Sequence, residues 1–277
     1  MTLRTPALIC DAERNCTPLG GAELAKVPPE VLRDAQGVAK TYYGRSAGKA
    51  AILVDQMVSL YLLTEAADVS VIFNPGGWGW ALLSQMPLWA TILAGMKGVL
   101  EKAGQRMTTL NYLRSPRSLL GRLSEVDALT KLSRAKGREL AARVGHLTRH
   151  RPLLKVILAG ESNGAAMAED AARLLRDNPR VFSIQTGTPF WAPSKPHPRT
   201  LIINHNGVEP DSFSSGNIRR WTEANIKALF GRYKSSQGNI LFHISAPGHV
   251  YSWEYLVVQK KITDFLLRTV IRGEAQD

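Results

Sequence analysis

Cysteine is nearly absent. Two residues, Cys10 and Cys16, in a chain of 277 cannot make a disulfide framework or a four-thiolate zinc site. They read as free thiols in a reducing compartment. Long apolar runs are missing too. The best candidate, the fourteen residues Ala50–Leu63, is interrupted by Asp55 and Gln56 and is too short to cross a bilayer, a length that suits a buried or interfacial helix. Residues 1–20 carry Arg4, Asp11, Glu13 and Arg14 with no apolar run of signal-peptide length. A cytoplasmic location, with association at a membrane surface as an extension of it, is therefore expected. Acidic residues are scarce, 23 against 35 Lys and Arg for a formal charge of +12. That excess favours an anionic neighbour and says nothing of the fold.

The remaining composition is ordinary. At 44% apolar and 21% charged residues the chain matches soluble globular proteins and excludes disordered, collagenous and multi-spanning classes. Residues 1–46 hold scattered Pro and Gly with weak periodicity and at most one helix, near Pro29–Lys40, so residues 1–68 read as an irregular lead-in plus the apolar helix. From Val69 to the end, residues 69–277, short β-rich runs alternate with helical patterns. The runs are Val69–Phe73, Met107–Leu113, Lys155–Ala159, Val181–Ile184, Leu201–Ile203 and Ile240–Ile244. Helical spacing joins Val126, Leu129 and Leu132, then Leu140, Val144 and Leu147, then Ala168, Ala171, Ala172 and Leu175, and finally Val258, Ile262, Phe265 and Leu266. Such alternation predicts an α/β fold with a mostly parallel central sheet and helices on both faces. Chemistry in such sheets gathers beyond the carboxyl ends of the strands.

Four of those ends are unusual. After Lys155–Ala159 comes Gly160-Glu161-Ser162-Asn163-Gly164 and then an Ala-rich helix. A G-x-S-x-G pentad between strand and helix suits a sharp turn that lifts a serine Oγ clear of the sheet; the bland alternative is an ordinary glycine-rich connection. After Val69–Phe73 comes Asn74-Pro75-Gly76-Gly77-Trp78-Gly79. Its paired glycines could turn backbone N–H groups inward as an oxyanion hole, with the Asn163 N–H as another donor. A simple turn is the alternative. A phosphate loop fails on spacing. After Ile240–Ile244, Gly248-His249 precedes the last helix, and a loop histidine there suits a general base. His205 competes for that role. His146 and His150, four apart, could pair on a metal but more simply form a solvated helix face. His197 sits in a Pro-rich loop and His243 within a strand. After Leu201–Ile203 lie Glu209 and Asp211. Either could orient the imidazole, with Asp211 preferred and Glu209 as the alternative.

With those residues in place the sequence resembles the α/β-hydrolase superfamily from about Val69 onward. Gly160–Gly164 is similar to the elbow of carboxylesterases and the hormone-sensitive-lipase group, and Pro75–Trp78 resembles their His-Gly-Gly-Gly loop with Pro and Trp replacing the outer residues. The resemblance implies a serine acyl hydrolase with Ser162, His249 and Asp211 as its triad and Gly76, Gly77 and Asn163 as oxyanion donors. It requires no cofactor and no metal, and a small-molecule or lipid acyl group is the implied substrate. The stretch before Val69 lacks the clear pair of strands usual in such folds, so a sheet shortened on its N-terminal side is expected.

Two features stand outside this picture. Residues 114–155 hold eleven Lys or Arg against Glu125, Asp127 and Glu139. That basic helical stretch could dock on anionic membrane beside Ala50–Leu63, or be a solvated surface. A non-catalytic binding or scaffold module at such a membrane is the alternative function. Nucleic acid is disfavoured, since no binding module, zinc spacing or aromatic-interleaved basic strand is visible. Trp78, Trp80, Trp89, Phe190 and Trp191 lie at strand ends and could line an acyl pocket or fill the core.

Overall fold

The computed structural model describes residues 8–11, 24–44, 46–77, 79–114, 133–192, 197–229 and 246–274. The expected strand Ile240–Ile244, the helical triplet Val126, Leu129 and Leu132, and Trp78, Cys16 and His243 lie outside these. The elements in chain order are β1 (Leu8–Asp11), α1 (Pro29–Tyr43), α2 (Ala47–Leu63), β2 (Val69–Asn74), α3 (Pro87–Lys102), β3 (Met107–Leu113), α4 (Ser133–His150), β4 (Lys155–Glu161), α5 (Asn163–Leu174), β5 (Val181–Thr186), β6 (Thr200–Ile203), α6 (Ile218–Leu229) and α7 (Leu256–Phe265), which continues into a π-helical turn over Leu266–Ile271.

Among the described residues the strands form one sheet in the order β1-β3-β2-β4-β5-β6. Every pairing is parallel except β1 with β3. The period-2 alternation of side chains sorts the core into two layers. Val69, Val71, Phe73, Ile157, Ala159 and Ile184 meet Trp89, Ile92 and Met96 of α3 and Val258, Ile262 and Phe265 of α7 on one face. Ile72, Leu110, Tyr112, Val156 and Leu158 meet Leu140, Val144 and Leu147 of α4 and Met167, Ala168 and Ala171 of α5 on the other. This is the expected α/β class with both faces covered.

The lead-in departs from expectation. Leu8–Asp11 is not irregular but an antiparallel edge strand, in register Leu8↔Leu113 through Asp11↔Leu110. Ile9 is buried, at 1% exposed, and a strand of four residues is too short to leave a periodic pattern to read. Hence a single strand, rather than a pair, precedes Val69 among the described residues. The helix over Ala50–Leu63 is α2, and Leu53, Met57 and Val58 bury against Val31, Ala35 and Ala39 of α1. No helix among the described residues is long and apolar enough to cross a membrane.

The basic stretch also differs from a solvated face where it is described. Arg143 is buried and pairs with Glu139 at 2.9 Å, and Lys136 meets the same carboxylate at 3.5 Å. Arg151 stacks 4.0 Å over the Tyr61 ring, and Lys155 donates to the Val270 carbonyl at 2.7 Å. Much of this charge is spent inside the fold.

Candidate active site

The carboxyl ends of β2, β4, β5 and β6 lie side by side, so the loops that follow them share one edge of the sheet. At the end of β4, Ser162 has φ 54° and ψ −124°. Among the described residues it is the one non-glycine with positive φ. An L-residue is strained there, and here the surroundings enforce it. The Ser162 N–H donates to the Thr186 carbonyl at 3.0 Å, while the Ser162 carbonyl accepts the Ala165 and Ala166 N–H groups at 2.9 and 3.2 Å, opening α5. Gly164 is needed because a methyl group there would lie 2.7 Å from the Pro75 carbonyl, and one on Gly160 would meet the Gly164 carbonyl at 2.5 Å. Strand, kinked serine and helix form the elbow that the pentad predicts. Ser162 is half-buried, not interior.

The loop after β2 arches over this serine. A methyl group built on Gly76 would sit 3.3 Å from Ser162 Cβ. The Gly76 carbonyl accepts the Gly79 N–H at 3.2 Å, and the Gly77 carbonyl accepts the Asn163 side-chain amide at 3.4 Å. Asn163 is the first residue of α5, where the helical backbone offers its N–H no intrahelical acceptor. Gly76, Gly77 and Asn163 are thus gathered around Ser162.

His249 approaches from the loop before α7. Its Nδ1 lies 2.8 Å from Asp211 Oδ2, with the imidazole side chain 12% exposed and the carboxylate fully buried. Asp211 is held by four further donors. The Phe213 and Ser214 N–H groups donate to Oδ1 at 2.8 and 3.1 Å, and the Ser214 and Tyr251 hydroxyls to Oδ2 at 2.9 and 2.6 Å. Burial alone would raise the Asp211 pKa, but the His249 hydrogen bond and charge, then Tyr251, more than reverse this and hold it below the usual carboxylate value. For His249 burial disfavours the cation, yet the Asp211 hydrogen bond and charge, with Glu161 behind them, raise its pKa. Ser162 and His249 flank the end of β5: the serine N–H binds Thr186, and the imidazole packs on the next residue, Gly187.

The competing residues lie elsewhere. Glu209 pairs with Arg220, both about two-fifths exposed. His205 uses its Nδ1 to accept the Gly207 N–H at 2.8 Å. His146 is buried, not on a solvated face, and its Nε2 lies 3.0 Å from the Val31 carbonyl. Asp34, His146 and His150 offer donor atoms within 4.8 Å of one another and are the candidate metal cluster among the described residues. The Arg149 guanidinium, 2.5 Å from Asp34 Oδ2, already neutralises its one carboxylate.

Several residues of the site carry no local signal. The Asn206 carboxamide donates to the Val250 and Gly248 carbonyls at 3.0 and 3.3 Å and accepts the Val208 and Glu209 N–H groups. It staples the loop after β6 to the histidine loop. Tyr251, Ser214 and Glu161 were equally unmarked, although Glu161 is the variable position of the pentad. Burial raises the Glu161 pKa and Asp211 adds to it, against the opposing pull of His249. Trp89 proves to be core, its Nε1–H on the Thr186 hydroxyl at 3.2 Å. Phe190 and Trp191 are instead 51% and 45% exposed, and an edge-to-face series runs from Phe190 through Trp191 and Phe213 to His249.

No protein-family model matches the sequence, and no curated protein does. Solved structures to which it is similar include a Trichoderma reesei cutinase in complex with a phosphonate inhibitor, at 17% identity and TM-score 0.42 over 89% of this chain and 94% of that one. A Thermus thermophilus protein is 16% identical, TM-score 0.38, over 73% and 89%. A putative α/β hydrolase from Agrobacterium tumefaciens is 18% identical, TM-score 0.30, over 57% and 69%. The kinked serine between β4 and α5, the parallel order β3-β2-β4-β5-β6 and an acid and a histidine following in that chain order give this protein the α/β-hydrolase fold.

Proposed function

We propose that the protein is a serine hydrolase that cleaves an ester, thioester or related acyl bond through an acyl-enzyme. The observation that carries this reading is the pairing of a buried Asp211 with His249 at 2.8 Å, at the same edge of the sheet as a serine held at φ 54°. Asp211 accepts from Nδ1–H, which leaves the Nε2 lone pair as the base. Ser162 Oγ attacks the acyl carbon as its proton passes to Nε2. The tetrahedral oxyanion is met by the N–H groups of Gly76, Gly77 and Asn163. As it collapses, the bond to the leaving group breaks and the imidazolium returns the proton to that group. Water then repeats the sequence on the acyl-enzyme, releasing acid and free Ser162. Nothing in these steps calls for a metal or organic cofactor.

The exposed Phe190 and Trp191, joined to His249 through the Phe213 ring, favour an apolar acyl or leaving group, from a small-molecule or lipid ester. Hydrolysis of a series of p-nitrophenyl esters by the protein, Ser162→Ala and His249→Ala tests the reading. The unsubstituted protein should turn over, and each variant should lose several orders of magnitude in kcat with its melting temperature kept. Equal rates in all three would refute it.

A further inference from the structure

The first residue of the basic stretch, Arg114, does not belong to any surface. It follows β3, is 2% exposed, and reaches under the loop that arches over Ser162. Its Nη1 donates to the Pro75 carbonyl at 2.5 Å and its Nη2 to the Gly77 carbonyl at 3.2 Å. Its own main-chain N–H donates to the Gly79 carbonyl at 2.8 Å. Three carbonyls of one short loop are thus drawn toward a single residue. Gly79, at φ 73°, is the matching half of the contact: a methyl group there would lie 2.6 Å from the guanidinium Cζ.

A trans peptide is planar, with its C=O and N–H pointing in opposite directions. Holding the Pro75 carbonyl on Arg114 therefore turns the Gly76 N–H away from Arg114. The Gly76 carbonyl is engaged by the Gly79 N–H at 3.2 Å, which sets the Gly77 N–H in the same manner. A methyl group added at Gly76 would come within 3.3 Å of Ser162 Cβ, so this stretch of backbone faces the serine. Without such anchors a glycine pair could rotate either peptide freely, and an oxyanion donor is effective only when it need not reorganise during the reaction. Arg suits this task better than Lys, because a planar fork can hold two carbonyls at a fixed spacing where an ammonium is a point donor.

We propose that Arg114 is a positioning residue that holds Pro75, Gly77 and Gly79 in place so that the Gly76 and Gly77 N–H groups are preset for the oxyanion. This rests on the serine-hydrolase reading. Arg114→Lys, Arg114→Met and Gly79→Ala approach the contact from both sides and are compared with the unsubstituted protein on one chromogenic ester. The expected result is a fall in kcat of about 100-fold in Arg114→Met, the size of losing one oxyanion donor, and a smaller fall in Arg114→Lys. Gly79→Ala should resemble Arg114→Met. KM should stay within about threefold, and the midpoint of the pH profile, which belongs to His249, should not move. The inhibition constant of a trifluoromethyl ketone analogue of the same ester should rise in step with the loss of kcat/KM. A structural role alone would lower the melting temperature and raise KM without that correlation. Unchanged kcat in a folded Arg114→Met, or an inhibitor constant that stays put while kcat falls, would overturn the proposal. If the unsubstituted protein neither hydrolyses esters nor reacts with a fluorophosphonate, the serine-hydrolase reading fails instead.

Discussion

Gly187, the first residue after β5, packs so tightly on His249 that a methyl group there would lie 2.7 Å from the imidazole Nδ1. It also has φ 58°. Gly187→Ala should displace the ring from Asp211 as well as strain the backbone. Gly104 gives the control, because it has φ 75° with nothing within 4 Å of an added methyl. Both variants should lose about 1–2 kcal/mol of stability from backbone strain. Only Gly187→Ala should also lose most of its activity, at least tenfold in kcat. Melting curves and ester turnover check this, and equal activities in the two would contradict it.

The two acids can be separated directly. Asp211→Asn should lower kcat by about 10⁴-fold, since an amide supports the wrong imidazole tautomer. Glu209→Gln removes an exposed partner of Arg220 and should change kcat less than threefold, with stability altered by less than about 1 kcal/mol. Kinetics on both variants test the pair, and a reversal would hand the role to Glu209.

The pKa directions set opposite trends for activity and stability. Catalysis needs neutral His249, whose pKa is raised above 6.5, so kcat/KM should climb with pH and level off beyond a midpoint above that value. In Asp211→Asn burial remains while the raising partner is lost, so the midpoint should fall. For stability, the raised His249 pKa contributes fully below 6.5 and its contribution vanishes as pH rises through the folded value. The lowered Asp211 pKa contributes above 3.8 and is lost as pH falls through its folded value. Both contributions coexist in the window between those two ordinary values, measurable as the melting temperature across pH.

The exposed aromatic pair should show in chain-length preference. Trp191→Ala and Phe190→Ala remove apolar surface that a long acyl chain would cover, and should lower kcat/KM for octanoate esters about tenfold while sparing acetate. Equal losses on both esters would remove these residues from substrate contact.

How much of this was legible depended on the range of the interaction. Ser162 was readable because its chemistry needs glycines two residues away on either side, a strictly local pattern. The five apolar runs that fall among the described residues are all strands, four of them because buried parallel strands read as nearly unbroken apolar stretches. Asp211 is preferred to Glu209 in the sequence on analogy alone, since two residues of spacing do not say which carboxylate a loop turns inward. That choice depends on the Phe213 and Ser214 N–H groups and on Tyr251. Arg114 was counted with the basic stretch because charge alone does not reveal burial. Only the parallel pairing of β3 with β2, which sets Phe73 beside Asn111, brings it to the Pro75, Gly77 and Gly79 carbonyls. His146 was hidden likewise by α1, whose packing on α4 no spacing within α4 records.

Covalent trapping of Ser162 is the most direct test. The intact protein is treated with a fluorophosphonate probe, digested, and searched by mass spectrometry for the adduct. A single modified site is expected within the peptide containing Gly160–Gly164, on Ser162, with no adduct in Ser162→Ala or after acid inactivation. An adduct on another residue, or equal labelling of Ser162→Ala, would contradict it.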